Sequence, residues 1–297
     1  MTRRVPNGEF SDRAIVITGG ASGIGLETGK RFQRLGARKV LLIDWDWSDS
    51  ELTDDFDRQE PSDGRGEGQQ PDDGRTVRRM IRLQADVGRP ADVERLFNGD
   101  HDSVQFHSDD RVDVLVNAAG ENLACDIMDV SSEQWDRAFA TNLKSAFLMT
   151  RQVIPMMSVR GGSIINVSST ASLLPRTNDP VYGVSKAALN DFTRRTALRR
   201  AENGIRVNAV CPGPVSNTRI QRANGRAAED PAELERLLIQ AMPIGTFHRR
   251  MVTPAEVAEL IVYLSSDMSQ MITGAVIPVD GGKALGIPPC LLTNRVG

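Results

Sequence analysis

Tyr182 and Lys186 stand four residues apart in the run PVYGVSKAAL, and Ser169 precedes Tyr182 by thirteen. On a helix, a spacing of four stacks two side chains on one face. A phenol titrates at about pH 10 in water. An ammonium group a few ångströms away favours the phenolate and lowers that pKa. The pair is therefore equipped to act as a general base near neutral pH. Ser169 closes the apolar strand that feeds this helix and can hold the oxygen of an alcohol or ketone while Tyr182 moves the proton. The same spacing also arises on ordinary amphipathic helices with a half-buried Tyr and a Lys stem lying along apolar surface. The elements around the pair decide between the two.

Those elements are written as strand-then-helix units. An apolar strand at 13–18 runs into Gly19-Gly20-Ala21-Ser22-Gly23-Ile24-Gly25, and helical periodicity follows over 24–35, with Gly36 as its stop. Strand, glycine-rich turn and helix form the context of a phosphate-binding loop, in which glycines admit the pyrophosphate and the helix start offers free N–H groups. A second apolar strand at 39–43 ends at Asp44, nineteen residues after Gly25, where an acid can accept hydrogen bonds from an adenosine ribose.

Further strands are predicted at 77–85, 112–116, 164–167, 205–210 and 272–279. Helices are predicted at 90–98, over a long stretch from 131 to 157, from Tyr182 onward, at 231–242 and at 254–265. Small residues after the fourth strand, Asn117-Ala118-Ala119-Gly120, leave room for a cofactor against the strand ends. Buried apolar strands alternating with helices predict an α/β fold: a single Rossmann-like domain over 1–297, with a doubly wound parallel sheet covered by helices on both faces. Two stretches depart from the pattern. The polar run 45–76 reads as a surface insertion with a short helix near its start. The stretch 214–250, with loop-like flanks around one helix, reads as a substrate lid.

Composition narrows the function. The 297 residues carry a net charge of −3, which leaves no global basic footprint for nucleic acid. Cys125, Cys211 and Cys290 form no CxxC, and three histidines show no metal-ligand spacing, so no metal site is expected. No apolar run reaches membrane-spanning length, and the start MTRRVPNGEF lacks the apolar segment of a signal peptide. The expectation is a cytoplasmic enzyme for a small molecule, with no nucleic-acid or membrane partner.

Taken together, the motifs resemble the short-chain dehydrogenase/reductase family over nearly the whole chain. Thr18-Gly19-x-x-x-Gly23-x-Gly25 is similar to the family's cofactor turn, Asn117-Ala118-Ala119-Gly120 to its NAG motif, and Asn142, Ser169, Tyr182 and Lys186 to its catalytic tetrad. Pro212-Gly213 and the run from Ile272 to Gly282 match later landmarks. The resemblance implies hydride transfer between a nicotinamide and a carbinol carbon, with Tyr182 as general acid/base. Lys186 would lower the Tyr182 pKa and bind the nicotinamide ribose, Ser169 would position the substrate oxygen, and Asn142 would hold a water. Cofactor contacts are implied for Gly19, Ser22, Gly23, Ile24, Gly25, Asp44, Asp86, Val87, Asn117, Ala118, Ala119, Gly120, Tyr182, Lys186, Pro212, Gly213 and Val215, with Asp86 at the adenine ring. A homodimer or homotetramer is implied by the family's pairing of the helices that carry Asn142 and Tyr182.

Two departures from the family pattern stand out: the length of 45–76, and Thr218, which comes one place late in PGPVSNT. Ser22 before Gly23 and the acids of Asp44-Trp45-Asp46 favour NAD over NADP, although Arg58, Arg65 and Arg75 of the insertion are available to a phosphate. A biosynthetic member using NADPH, cyclisation or isomerisation chemistry, and a cofactor-binding sensor are the alternatives. A sensor would typically lack the Tyr or Lys that this chain retains.

Overall fold

The computed structural model describes residues 5, 8–48, 50, 79–98, 111–157, 160–176 and 179–286. Seven parallel strands form one sheet in the order β3-β2-β1-β4-β5-β6-β7. They are β1 (Ala14–Thr18), β2 (Lys39–Asp44), β3 (Arg79–Gln84), β4 (Val114–Asn117), β5 (Gly162–Val167), β6 (Ile205–Pro212) and β7 (Val276–Val279). The chain order reverses between β1 and β4, and a crevice opens at the carboxyl ends of strands where such a reversal occurs.

The central strand β1, AIVIT, is apolar without alternation because both sheet faces are covered there. Successive residues of β1 show this directly. Ile15 and Ile17 pack into one core with Leu26 and Phe32 of α1 (Gly23–Arg34) and Val257, Ile261 and Val262 of α9 (Pro254–Ser265). Val16 faces the other core, with Val93 of α2 (Pro90–Asn98), Met149 and Val153 of α4 (Ser145–Met157) and Ala197 of α5 (Pro180–Arg200).

Several boundaries differ from the sequence expectation, each for a local reason. The fourth strand begins at Val114, since the buried Asp113 carboxylate takes a ladder position by accepting the Ala14 N–H at 2.8 Å. The last strand begins at Val276 and not at 272, because Gly274 turns into the left-handed region (φ +72°) just before it. The helix carrying Tyr182 opens two residues earlier, at Pro180, a favoured first-turn position for proline. The helical stretch expected at 131–157 is helical without a break from Ser132 to Met157, as α3 (Ser132–Phe139), a π-turn at Ala140–Lys144 and α4, and its capping box of Ser131 and Gln134 is present. The flanks of the 214–250 stretch are not loops. They form α6 (Arg219–Ala227) and α8 (Pro243–His248) around α7 (Pro231–Gln240). Most of the insertion, including its predicted short helix and its three arginines, lies outside the described residues. So do the start of the strand predicted at 77–85 and Cys290.

Candidate active site

At the carboxyl end of β1, the Thr18 hydroxyl accepts the N–H groups of Ala118 and Ala119, both at 3.1 Å. One side chain thus ties the glycine turn to the small residues after β4, across the point where the sheet reverses. The turn has no room for side chains. A Cβ on Gly25 would sit 2.1 Å from the Gly19 carbonyl oxygen, and one on Gly19 (φ +68°) would sit 2.7 Å from that of Ala118. Ser22 is the extended N-cap of α1, but its hydroxyl makes no capping bond, so no N-cap side-chain bond occupies the first-turn N–H groups. A bare backbone cradle at an uncapped helix start fits a pyrophosphate.

Asp44 is buried at the end of β2. Its Oδ2 accepts the Ala21 N–H at 3.1 Å and its Oδ1 the Asp46 N–H at 3.2 Å. A carboxylate has about four acceptor positions, so the two backbone bonds leave capacity for a ribose diol. Asp86 holds its own loop by accepting the Gly88 N–H at 3.0 Å, beside Arg89 at 3.2 Å.

On the other side of the reversal, Tyr182 and Lys186 project from α5 toward the end of β5. Both are buried. The Lys186 ammonium donates to the Val167 carbonyl at 2.9 Å and lies 6.0 Å from the Tyr182 ring centre. Burial lowers the Lys186 pKa to about 8. Burial also pushes the Tyr182 phenol up, against a hydrogen bond to Ser169 and the nearby Arg176 guanidinium, which pull it down. The phenol is thus displaced in the direction opposite to that expected from the Lys186 spacing alone, because desolvating the phenolate outweighs the stabilising neighbours.

Ser169 is set by a buried polar layer. Its Oγ accepts the Ala171 N–H at 3.2 Å, and its carbonyl accepts the Ser172 hydroxyl, which in turn accepts from Asn190 at 2.8 Å. Asn142 sits in the π-turn with its amide fully engaged. Its Oδ1 accepts the Glu121 N–H at 2.9 Å, and its Nδ2 donates to the Glu121 carbonyl at 3.0 Å and to Ser185 at 3.1 Å. Gly120 is small for the same reason: a Cβ there would lie 3.1 Å from the Lys186 ammonium and 3.2 Å from Asn142 Oδ1.

These groups meet in one cavity of about 1040 Å³. It is lined by Gly19, Ser22, Gly23, Ile24 and Gly25 of the turn, by Asp44, Asp86 and Val87, and by Ala118, Ala119 and Gly120. Ser169, Tyr182, Lys186, Pro212, Gly213 and Val215 complete the predicted set on its wall. Asn142 and Asn117 lie behind it. Asn117 is buried and donates to Asn166 at 2.8 Å, so it braces the strand ends.

Other lining residues escaped the sequence reading. Arg219, Ile220 and Asn224 come from α6, and Leu234 and Leu238 from α7. Asn224 accepts a hydrogen bond from Asn122 at 3.3 Å, which joins α6 to the loop after β4. Thr218 caps α6 by accepting the Gln221 N–H at 3.1 Å, which explains its shifted place in the sequence. A threonine followed three residues later by Gln221 is the signal of a helix start. Between Ser169 and Tyr182, Arg176 and the buried Asp179 form a bidentate ion pair on the cavity wall. Among the described residues there is no cluster of His, Cys, Asp and Glu able to hold a metal, and no helix long and apolar enough to cross a membrane.

Comparison with known proteins agrees with this geometry. Residues 19–284 match the family model described as enoyl-(acyl carrier protein) reductase. The chain is 31% identical over 286 residues to D-beta-hydroxybutyrate dehydrogenase of Cupriavidus necator, covering 92% of this chain and 98% of that one. It is 32% identical over 276 residues to cyclopentanol dehydrogenase of a Comamonas strain, covering 93% and 98%. It is 30% identical over 285 residues to oxidoreductase UcpA of Salmonella typhimurium, covering 94% and 97%. The crystal structure of a short-chain dehydrogenase family protein from Francisella tularensis shares the fold, with a TM-score of 0.75 at 23% identity over 92% of this chain and 99% of that one. With its doubly wound sheet, glycine cradle and Ser169–Tyr182–Lys186 cluster, the chain belongs to the short-chain dehydrogenase/reductase family of oxidoreductases.

Proposed function

We propose that the protein is an NAD-dependent oxidoreductase that interconverts a secondary alcohol and a ketone, with Tyr182 as the general acid/base. The observation that carries this reading is the shared cavity: Tyr182 and Ser169 stand on its wall together with the glycine turn and Asp44, so one elongated ligand can touch both ends. The names of two relatives, a hydroxybutyrate and a cyclopentanol dehydrogenase, point to the same reaction type.

When bound, a nicotinamide dinucleotide supplies the hydride acceptor or donor. The protein's part is orientation and proton movement. The Ser169 hydroxyl hydrogen-bonds the substrate oxygen. Tyr182 Oη takes the proton of the alcohol on oxidation and returns it to the ketone oxygen on reduction. Lys186 would hold the cofactor ribose with its ammonium, 6.0 Å from the centre of the Tyr182 ring. The Asn142 side-chain amide is bonded to Glu121 and Ser185, which ties the π-turn to the loop after β4 and to α5. Helices α6 and α7 serve as the lid over a single catalytic domain.

Asp44 carries the cofactor preference. Its free acceptor positions suit the ribose hydroxyls of NAD, and its charge opposes a 2′-phosphate. The test is kcat/KM with both cofactors over a panel of secondary alcohols and ketones. Wild type is expected to favour NAD, and Asp44→Ala to reduce the ratio by roughly tenfold or more, the scale of a charged hydrogen bond. A wild-type preference for NADP would sink the assignment of Asp44, and no turnover on any member of the panel with either cofactor would sink the reaction.

A homodimer or homotetramer belongs to the same reading. Phe147 of α4 and Val184 and Leu198 of α5 are exposed on outer faces that a second copy would cover. Light scattering at micromolar concentration should give at least a dimer mass; a monomer mass contradicts the proposal.

A further inference from the structure

Arg219 reaches from the first turn of α6 to the end of β2, across 175 positions of sequence, into the subsite read above as the adenosine-ribose pocket. Its Nη1 lies 3.6 Å from Asp44 Oδ1, and its Nη2 donates to the Asp46 carbonyl at 3.0 Å. Its guanidinium carbon stands 6.0 Å from the Trp45 ring centre, at the outer reach of a cation–π contact. Its Nε is buried and has no hydrogen-bond partner. A buried N–H without a partner is unfavourable, and this one sits on an arginine that lines the cavity beside the ribose acid.

We propose that Arg219 is a specificity-determining residue that gives a ribose 2′-phosphate a partner in this pocket, so that the site binds NADP-type ligands in spite of Asp44. The inference rests on the dinucleotide reading of the cavity. A ribose whose hydroxyls meet Asp44 carries its 2′-substituent beside that carboxylate. Two acids, Asp44 and Asp46, then oppose the phosphate, and one guanidinium within 3.6 Å of Asp44 offsets them. A guanidinium suits the task, because its planar fork can turn from a carboxylate to a phosphate and bind either with two donors. The balance of two acids against one base leaves NAD preferred while NADP remains a ligand. Without Arg219 both acids act unopposed.

Calorimetry on the full-length protein with 5′-AMP and adenosine 2′,5′-bisphosphate tests this without turnover. Both probes carry the adenosine half alone, so neither reaches Tyr182. In Arg219→Ala, affinity for the bisphosphate should fall by about tenfold or more, the scale of a lost charge-assisted bond, with AMP affinity within about threefold of wild type. Arg219→Lys keeps a charge without the fork and should fall between the two. It supplies the same comparison if the alanine variant does not fold. Equal losses for both probes would reduce Arg219 to a support for α6 and overturn the proposal, as would wild-type protein that binds AMP but not the bisphosphate. Failure of both probes to bind wild type would instead remove the dinucleotide reading, and this inference with it.

Discussion

Replacing Tyr182 by Phe is expected to lower kcat by roughly a thousandfold, the middle of the range for losing a positioned general acid/base, and to leave NAD affinity within about twofold. The two effects separate because the ring and the hydroxyl do different work. The ring is buried, and Phe preserves that packing. The hydroxyl's hydrogen-bond partner is Ser169, whose Oγ is held by the Ala171 N–H and whose carbonyl is held by the Ser172 hydroxyl. The hydroxyl alone can move the proton. The pH profile adds a second readout. Burial raises the Tyr182 pKa, so in alcohol oxidation, where the phenolate is the base, kcat/KM should climb as pH rises toward that pKa. In ketone reduction the phenol is the acid, and kcat/KM should fall as pH rises through it. The phenylalanine variant should lose both limbs. Stopped turnover assays and nucleotide titration by tryptophan fluorescence measure the pair of effects, and a variant keeping more than a tenth of wild-type kcat would remove Tyr182 from the role.

Much of this site was legible in the sequence because its signals are local. The glycine turn is read from spacing, since a Cβ at Gly25 or Gly19 is excluded by backbone only a few residues away or at the adjoining strand end. Strand β1 and the Val40–Ile43 part of β2 show as unbroken apolar runs because the sheet buries both faces. Tyr182 and Lys186 fall together because one helix carries them.

What stayed hidden depends on contacts distant in sequence. Helix α6, RIQRANGRA, is strongly polar and contains Gly225, so its propensity argues for a loop; its place is held by the Thr218 cap and by Asn122 across the cavity. Arg219 is unremarkable until α6 brings it to Asp44. The π-turn at Asn142 leaves the helical pattern of apolar residues nearly intact while shifting the hydrogen-bond register, so periodicity passes over it. The direction of the Tyr182 pKa was missed because a spacing of four reports proximity to Lys186 and carries no information about burial.

Lys186→Met is expected to abolish turnover and weaken nucleotide binding while raising stability at neutral pH. Burial holds the Lys186 ammonium at a pKa of about 8 against an ordinary 10.5. A displacement of that size corresponds to roughly 3 kcal/mol, paid by the folded state wherever the lysine is charged in both states. Methionine fills a similar volume without a charge. It forfeits the bond from Nζ to the Val167 carbonyl, worth about 1 kcal/mol, and can strand that acceptor. The net gain at pH 7 is then on the order of 1 kcal/mol, a rise in Tm of about 2–4 °C for a domain of this size. The sign has a pH signature. Below about pH 8 the lysine is protonated in both the folded and unfolded chains, and its full cost is present. Between about 8 and 10.5 the unfolded chain binds the extra proton, so wild-type stability rises with pH relative to the variant. The advantage of Lys186→Met in Tm should therefore be constant below about pH 8 and shrink above it. Thermal unfolding of both proteins from pH 6 to 10, roughly the span of that displacement, measures it. A variant less stable than wild type at pH 7, or a gap that widens with pH, would show that the ammonium is stabilised in the folded protein and that Lys186 is a structural residue first.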